Sequence, residues 1–503
     1  MNGSWLPIAV LATSLLACPL IFLTPEKSIA ARTSINLAAA LLKLGLVVYL
    51  GWQVAIEGAE HTVSLPMLPG LDLVLQVDAL ALLFLSLSAG LWLLTTIYAI
   101  GYLEGGAHRA RFFGFFSLCV AATTGVALAG NLFTFLIFYE LLTLATYPLV
   151  VHRQTPEALK GGRIYLAYTL AGGMALLAGT VWLWVAAGSL DFVMGGNPAL
   201  AGVSPPALMG IFALLLAGLG VKAALFPLHG WLPKAMVAPA PVSALLHAVA
   251  VVKAGAFGIL RVVEEIFGIA LTVKLGLALP LAGLAAFTII YGSLCAMKQD
   301  DLKRRLAYST VSQVSYIVLG AALFSPVALV GALMHLVHQG LMKITLFMCA
   351  GNIAESVHLY KVSELDGIGR RLPWTMSAFT VAALGMIGVP PLAGFVSKWY
   401  LGAGSLEVGA TWVIVVLLGS SLLNALYMLP ILHRAWFRER QDAWPSNPSA
   451  SLEIKWTLLV PPLVTALLVV LVGLLASSPL SPLSWARLIA TGEIPGLPGG
   501  LIR

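Results

Sequence analysis

The stretch 208–261, LMGIFALLLAGLGVKAALFPLHGWLPKAMVAPAPVSALLHAVAVVKAGAFGILR, decides how the chain is read. It holds two long apolar segments with a proline-rich joint between them. Each segment carries one lysine, Lys222 and Lys253. A lysine at the middle of a membrane-length helix costs about 2.5–3.5 kcal/mol on insertion scales, so it faces a polar cavity and marks function. The sequence around them must supply that cavity.

The 503 residues are 60% hydrophobic and 10% charged. A soluble domain carries about 25% charged residues, so this chain cannot cover itself with a polar surface. Its apolar residues fall in blocks of about 18 or more, the length that crosses a bilayer as a helix. The net charge of +7 does not signal nucleic acid, because the basic residues sit between apolar blocks and form no patch. Cys18, Cys119, Cys295 and Cys349 lie in or beside apolar blocks without ligand spacing. They read as small buried hydrophobes. The first block, 6–22, has no basic residue before it and Pro25-Glu26-Lys27 after it. It reads as a first span, not a cleaved signal.

An all-α polytopic membrane protein follows, because a helix satisfies its own backbone in lipid. About fourteen spans are predicted, at roughly 5–23, 33–56, 75–101, 112–129, 131–151, 163–187, 206–226, 241–261, 272–296, 306–324, 327–350, 373–399, 408–432 and 456–476. The third block is long enough to tilt or to begin as an interfacial segment. The division is 1–110 for the first three spans, 111–261 and 272–432 for two five-helix units, and 456–476 for a last span. No connection is long enough for a soluble domain.

Loops after odd-numbered spans hold 19 of the 28 basic residues. The opposite face, termini included, has only Arg261, Lys274, Arg487 and Arg503. This asymmetry puts the odd-numbered loops in the cytoplasm and both termini outside.

Five basic residues fall inside spans: Lys43, Lys222, Lys253, Lys343 and Lys398. One acid stands among them, Glu140, in NLFTFLIFYELLTLATYPLV of span five. A buried carboxylate needs a partner, and a buried lysine is the natural one. Five bases cannot all pair with one acid. Burial disfavours the charged form of a lysine, which lets it exchange protons near neutral pH. An acid–base pair plus a row of such lysines is what lateral proton transfer through a wet interior requires. Lys43 alone stays open between this role and snorkelling to the interface. Arg261, Glu264 and Glu265 mark the outer end of span eight with a local salt bridge, and Asp78 reads as interfacial.

Histidines extend the row. His247 shares span eight with Lys253. His335 and His338, three apart in ALMHLVHQGLMK, lie near one face of span eleven, with Lys343 after them. A histidine that titrates near neutrality relays protons, although one that stitches helices together looks the same in sequence. His229, beside Pro227, sits where it lines a path from the inner surface. No pair has metal-ligand spacing, and neither metal nor cofactor is expected.

Proline and glycine break the helices. Span seven ends at Phe226-Pro227, span eight opens after Pro239 and Pro241, and span twelve carries Pro390-Pro391 and Gly394. Such breaks free backbone groups to face a polar cavity, as in transporter binding sites. Lys222 and Lys398 stand beside breaks in spans seven and twelve. Five spans apart, these run in opposite directions, so spans 4–8 and 9–13 are candidate inverted five-helix repeats.

On these residues the chain resembles the antiporter-like, proton-pumping membrane subunits of respiratory complex I and of Mrp-type sodium/proton antiporters. The similarity covers about residues 70–435 and is carried by the span-five segment quoted above, GLGVKAALFPLHGWLPKAMVAPAPVSALLHAVAVVKAGAFGILR, DLKRRLAYSTVSQVSYIVLG, HLVHQGLMKITLFMCAG and GVPPLAGFVSKW. The resemblance implies that Glu140, Lys222, Lys253 and Lys398 form a central hydrophilic axis, with His335 and His338 joining its halves. The wording of SALLHAVAVVKAGAFGILR and GVPPLAGFVSKWYL is most similar to the D-type member of the Mrp antiporters. Lys398 fits that type or the N-type member of complex I. The resemblance implies a prokaryotic inner membrane as the location.

The implied function is proton translocation within a hetero-oligomer of membrane subunits that exchanges cation for proton, sodium being handled by the assembly. A pumping subunit of an NADH- or ferredoxin-driven complex would use the same channel, with redox chemistry in its partners. A non-transporting scaffold would have no reason to keep Glu140 beside the central bases.

Overall fold

The computed structural model describes residues 5–103, 105–441, 444 and 453–491. Arg503, assigned above to the outer face, lies outside the described residues. The chain begins with α1 (Leu6–Leu23) and α2 (Ile29–Trp52), followed by a two-stranded antiparallel hairpin, β1 (His61–Leu68) and β2 (Leu71–Val77). Then come α3 (Ala79–Tyr102), α4 (Arg109–Ala127), α5 (Leu132–Val150), α6 (Pro156–Ala187) and α7 (Pro205–Lys222). Broken segments follow: α8 (Trp231–Lys234), α9 (Ala240–Ala248), α10 (Val251–Arg261) and α11 (Gly268–Lys274). The second half holds α12 (Ala278–Met297), α13 (Leu302–Ala322), α14 (Pro326–Val357), α15 (Ile368–Arg371), α16 (Pro373–Ile387), α17 (Ala393–Glu407), α18 (Trp412–Phe437), α19 (Trp456–Leu474) and α20 (Pro482–Thr491).

Local chemistry starts these helices where the sequence allows it. Asp78 caps α3 by accepting from Ala81 N at 2.6 Å, and Asn131 caps α5 by accepting from Thr134 N at 2.8 Å. Thr155 and Ser325 cap α6 and α14, each with proline in the first turn, where its missing N–H costs nothing.

Twelve helical stretches among the described residues are long and apolar enough to cross a membrane, Ala240–Lys274 counting as one. Every one of the fourteen predicted spans contains helix. The two outside the twelve are α13, whose start carries Lys303, Arg304 and Arg305, and the divided pair α16 and α17. The third block begins differently from expectation. Its residues up to Val77 are strand β2, because alternating LDLVLQV pairs with HTVSLPML across a tight turn. The ninth span starts at Ala278, after the short α11 has taken residues up to Lys274.

Polar side chains are buried within a largely apolar interior, and the outward faces of the outer helices are apolar. Helices α9, α10 and α14 form the buried centre. In α14 His335, His338, Gln339, Lys343, Thr345 and Asn352 are all fully buried. Outer helices turn large apolar side chains outward, among them Met174, Val181 and Val185 on α6 and Val415, Leu418 and Leu422 on α18. Such a surface would drive a soluble protein to aggregate, whereas lipid requires it.

Candidate functional site

Three helix interruptions frame the interior. Helix α7 stops at Lys222, and the chain resumes as helix only after the Phe226-Pro227 turn. Helices α16 and α17 are separated by residues 388–392. Gly388 holds φ +97°, a conformation open to glycine, and a Cβ there would lie 3.1 Å from Lys398 Cδ. The third interruption was not expected. It divides span eight at Val249-Ala250, between His247 and Lys253, with neither proline nor glycine at the break. Its neighbour explains the space: Gly340 of α14 lies so close that an added Cβ would stand 3.0 Å from the Ala248 carbonyl.

Lys222, at the first interruption, is fully buried. Its ammonium donates to the Tyr139 carbonyl and lies 3.3 Å from the centroid of the Tyr139 ring. Glu140 is the next residue. Its carboxylate is packed against Gly173 of α6, where any Cβ would collide with it. Among the described residues no ion pair within bonding distance joins Glu140 to Lys222, and Glu140 Oε1 has no hydrogen-bond partner. The expected acid–base contact is therefore a neighbourhood: one carboxylate within Coulomb reach of a lysine whose ammonium is bonded to the Tyr139 carbonyl.

Lys253 is also fully buried, and its Nζ has no partner among the described residues. Two residues on, Gly255 packs against the backbone of residues 219–223, so α10 crosses α7 at the level of Lys222. On its other side lie His338 and His335, both within Coulomb reach of Lys253. Neither nitrogen of His338 is bonded. His335 Nδ1 meets Ser397 Oγ at 2.9 Å, and its ring stacks on Tyr316 with centroids 5.0 Å apart.

Ser397 is the neighbour of Lys398. Half-buried Lys398 donates to the carbonyls of Met386 and Ile387 at 3.0 and 2.9 Å and to Ser421 Oγ at 3.0 Å. It thus caps the carbonyls that the break after α16 leaves without helical partners. Lys343 donates to the Leu306 carbonyl at 3.0 Å and to Ser309 Oγ at 2.7 Å. His247 stacks on Phe347 at 4.4 Å, has no hydrogen bond, and feels Lys343 rather than Lys253.

The predicted residues thus fall into two linked groups. Glu140, Lys222, Lys253, His338, His335 and Lys398 follow one another across the molecule, while Lys343 and His247 form a side group. His229 stands apart, 5.1 Å from Tyr291 between ring centroids. Along the main row, unbonded buried polar atoms recur on Glu140, Lys253, His338, Gln339, His335 and Gln313. Native interiors satisfy such groups with protein or with water, and here the described residues supply nothing.

A family model described as NADH:quinone oxidoreductase/Mrp antiporter, TM matches residues 129–424, more than half of the chain. The chain belongs to that family. A second model, for the N-terminus of chain 5 of NADH-ubiquinone oxidoreductase (complex I), matches residues 70–113. NADH-quinone oxidoreductase subunit N of Desulforudis audaxviator is 39% identical over 424 residues, 80% of this chain and 82% of that protein. The solved Mrp complex of Dietzia sp. DQ12-45-1b contains a chain that superposes with a TM-score of 0.82 at 26% identity, over 99% of this chain and 53% of that one. A chain of the membrane-bound sulfane sulfur reductase, an archaeal respiratory complex, has a TM-score of 0.87 at 22% identity, over 97% and 98%. The antiporter-family assignment makes this a multi-pass prokaryotic membrane protein that resembles subunits of multisubunit complexes.

Some buried polar residues beside the row escaped the sequence reading. Ser309, Gln313 and Tyr316 line one face of α13, and Tyr427 and Asn424 face them from α18. The signal was present as polar residues at about one-turn spacing within YSTVSQVSY. One open reading is decided: Lys43 does not snorkel, because it is fully buried between helices. Asp78, at the start of α3, binds Arg261 at 2.7 Å, and Arg261 also binds Glu265 at 2.5 Å. Glu264 takes no part in that bridge.

Proposed function

We propose that this chain is the proton-translocating subunit of a multisubunit cation/proton antiporter, and that protons move along the row Glu140, Lys222, Lys253, His338, His335, Lys398. One observation carries the reading: Lys253 is a fully buried lysine without a partner among the described residues, placed between the Lys222 interruption and the His338–His335 pair. A desolvated ammonium is costly, so such a group exchanges its proton with water and with neighbouring bases. A proton reaching Lys222 is held by the field of Glu140. A change in the distance between them releases it toward Lys253 and the histidines. Lys398, on the second broken helix, delivers it. The two breaks belong to candidate inverted repeats, with the positive loops in the cytoplasm. Sodium prefers oxygen ligands, and a row of bases with one acid is a poor cage for it, so sodium passes through or between partner subunits.

The 39% identity to a subunit of an NADH-quinone oxidoreductase favours a second reading, a pumping subunit powered by redox partners. Purifying the intact complex and identifying its subunits separates the two: iron–sulfur or flavin subunits support the second, their lack the first. In either complex, reconstituted in vesicles, Glu140→Ala or Lys222→Ala is expected to abolish coupled proton movement while assembly survives. Normal pumping by both variants would overturn the assignment.

A further inference from the structure

Lys43 lies outside the row described above, in the bundle formed by α1 to α4. It stands on α2, and each of the other three helices gives it one contact. Its Nζ donates to Ser14 Oγ of α1 at 2.7 Å and to Thr124 Oγ1 of α4 at 2.6 Å, and lies 5.0 Å from the centroid of the Trp92 ring of α3. Both hydroxyls donate onward to backbone carbonyls, Ser14 to Leu11 and Thr124 to Val120, and are therefore free to accept from the lysine. Among the described residues no carboxylate stands within ion-pairing distance, and no charged side chain acts on it. The other titratable groups on these helices, Cys18 on α1, Arg32 and Tyr49 on α2, Tyr98 and Tyr102 on α3, and Arg109, Arg111 and Cys119 on α4, leave it untouched.

Three unpartnered buried polar atoms, one from each of α2, α3 and α4, gather on one side of this lysine. Two turns before Lys43 on α2 stands Asn36, and two turns before Thr124 on α4 stands Ser117. One turn after Trp92 on α3 stands Thr96. Asn36 Oδ1, Ser117 Oγ and Thr96 Oγ1 are all fully buried and all without a partner. They occupy the half of the bundle that ends at Glu26, Arg32 and Arg109. There Glu26 joins the two loops by accepting from the backbone of Arg109 at 2.5 Å and Ala110 at 3.1 Å. Toward the other face the unbonded buried atoms among the described residues are Ser88 Oγ and, at the far end, Gln53 Oε1 and both ring nitrogens of His61. Between them the same faces carry Val10, Val47, Leu85 and Leu128, all buried and apolar.

We infer that Lys43 is a second proton-binding site, separate from the transport row and open only to the face that bears Glu26, Arg32 and Arg109. A proton delivered by water along Asn36, Ser117 and Thr96 adds to the Nζ lone pair, and returns by the same way. The inference rests on the family's being proton-translocating, but not on the row itself.

The test uses the assembled complex in oriented membranes on a solid support, in a Glu140→Ala background that silences the row. A pH jump on the Arg32 face is expected to give a transient charge movement that disappears in Lys43→Met and persists in Lys43→His. A jump on the other face gives no Lys43-dependent component. Asn36→Leu with Ser117→Ala, which keep the lysine, are expected to slow the transient at least threefold. They also serve if Lys43→Met does not assemble. A transient indifferent to both sets of variants, or one that depends on Lys43 but arises from the opposite face, overturns the inference. Neither result bears on whether Glu140 and Lys222 carry transport.

Discussion

Lys343 and Lys398 are tied to the same carbonyl by one run of hydrogen bonds. Lys343 donates to Ser309, Ser309 and Tyr427 are 2.8 Å apart, Tyr427 donates to Asn424, and Asn424 donates to the Met386 carbonyl at 3.2 Å, which Lys398 also binds at 3.0 Å. With Lys343 as donor the run has a single direction: Ser309 accepts from the lysine and gives to Tyr427, which gives to Asn424. An amide cannot take up that proton near neutral pH, so the run stops at Asn424. It orients the two lysines with respect to each other without conducting between them. In the proposed row, protons reach Lys398 by the histidines instead.

Tyr427→Phe removes the middle of the run and leaves Ser309 and Asn424 each short of a partner. Turnover is expected to fall about threefold to tenfold, or roughly 0.6–1.4 kcal/mol, with assembly unchanged. Ser309→Ala is expected to do the same, and the double variant no worse than either alone, because both break one run. Additive losses in proton-pumping rate would contradict the coupling.

Gly173→Ala adds no charge and removes none. Its methyl group would fall on the Glu140 carboxylate, which must move. The expected result is loss of pumping by about tenfold, for a local change of about 1.4 kcal/mol in the transport barrier, while the complex still assembles. Replacing Gly45 by alanine, where a Cβ meets nothing within 4 Å, is the matched control.

Arg261 serves stability. It is fully buried and holds Asp78 and Glu265 together, joining the start of α3 to the end of α10. Arg261→Met leaves two carboxylates sharing a site without their cation. A destabilisation of about 3–5 kcal/mol is expected, the cost of breaking a buried pair from one side. Thermal unfolding of the purified complex measures it, and an unchanged midpoint would count against this role.

Much of this was legible in the chain, for definite reasons. Membrane crossing rests on composition and block length, which need no tertiary context, so every predicted span holds helix. Lys222, Lys253 and Lys398 were visible because a charge inside an apolar block is conspicuous. Three features were not visible. The end of strand β2, residues 75–77, continues an apolar run and falls in predicted span three, since a short half-buried strand and a helix start look alike there. The break at Val249-Ala250 has no proline or glycine of its own and depends on Gly340, about ninety residues away. Lys222 meets the carbonyl and ring of Tyr139, not the Glu140 carboxylate, because of how α5 meets α7, which no spacing in the sequence records. The same holds for Lys43, whose hydroxyl partners come from two other helices.

Lys253 decides the account, because it alone among the lysines of the row has no hydrogen-bond partner among the described residues and no such bond to lose. The direct measurement is ion-driven or substrate-driven proton uptake by vesicles containing the assembled complex, comparing the wild type with Lys253→Met. The account predicts intact assembly, an unchanged or higher unfolding midpoint because a buried unpaired base has been replaced by an apolar side chain of similar length, and proton uptake reduced to background. Proton uptake at the wild-type rate in an assembled Lys253→Met complex would contradict it.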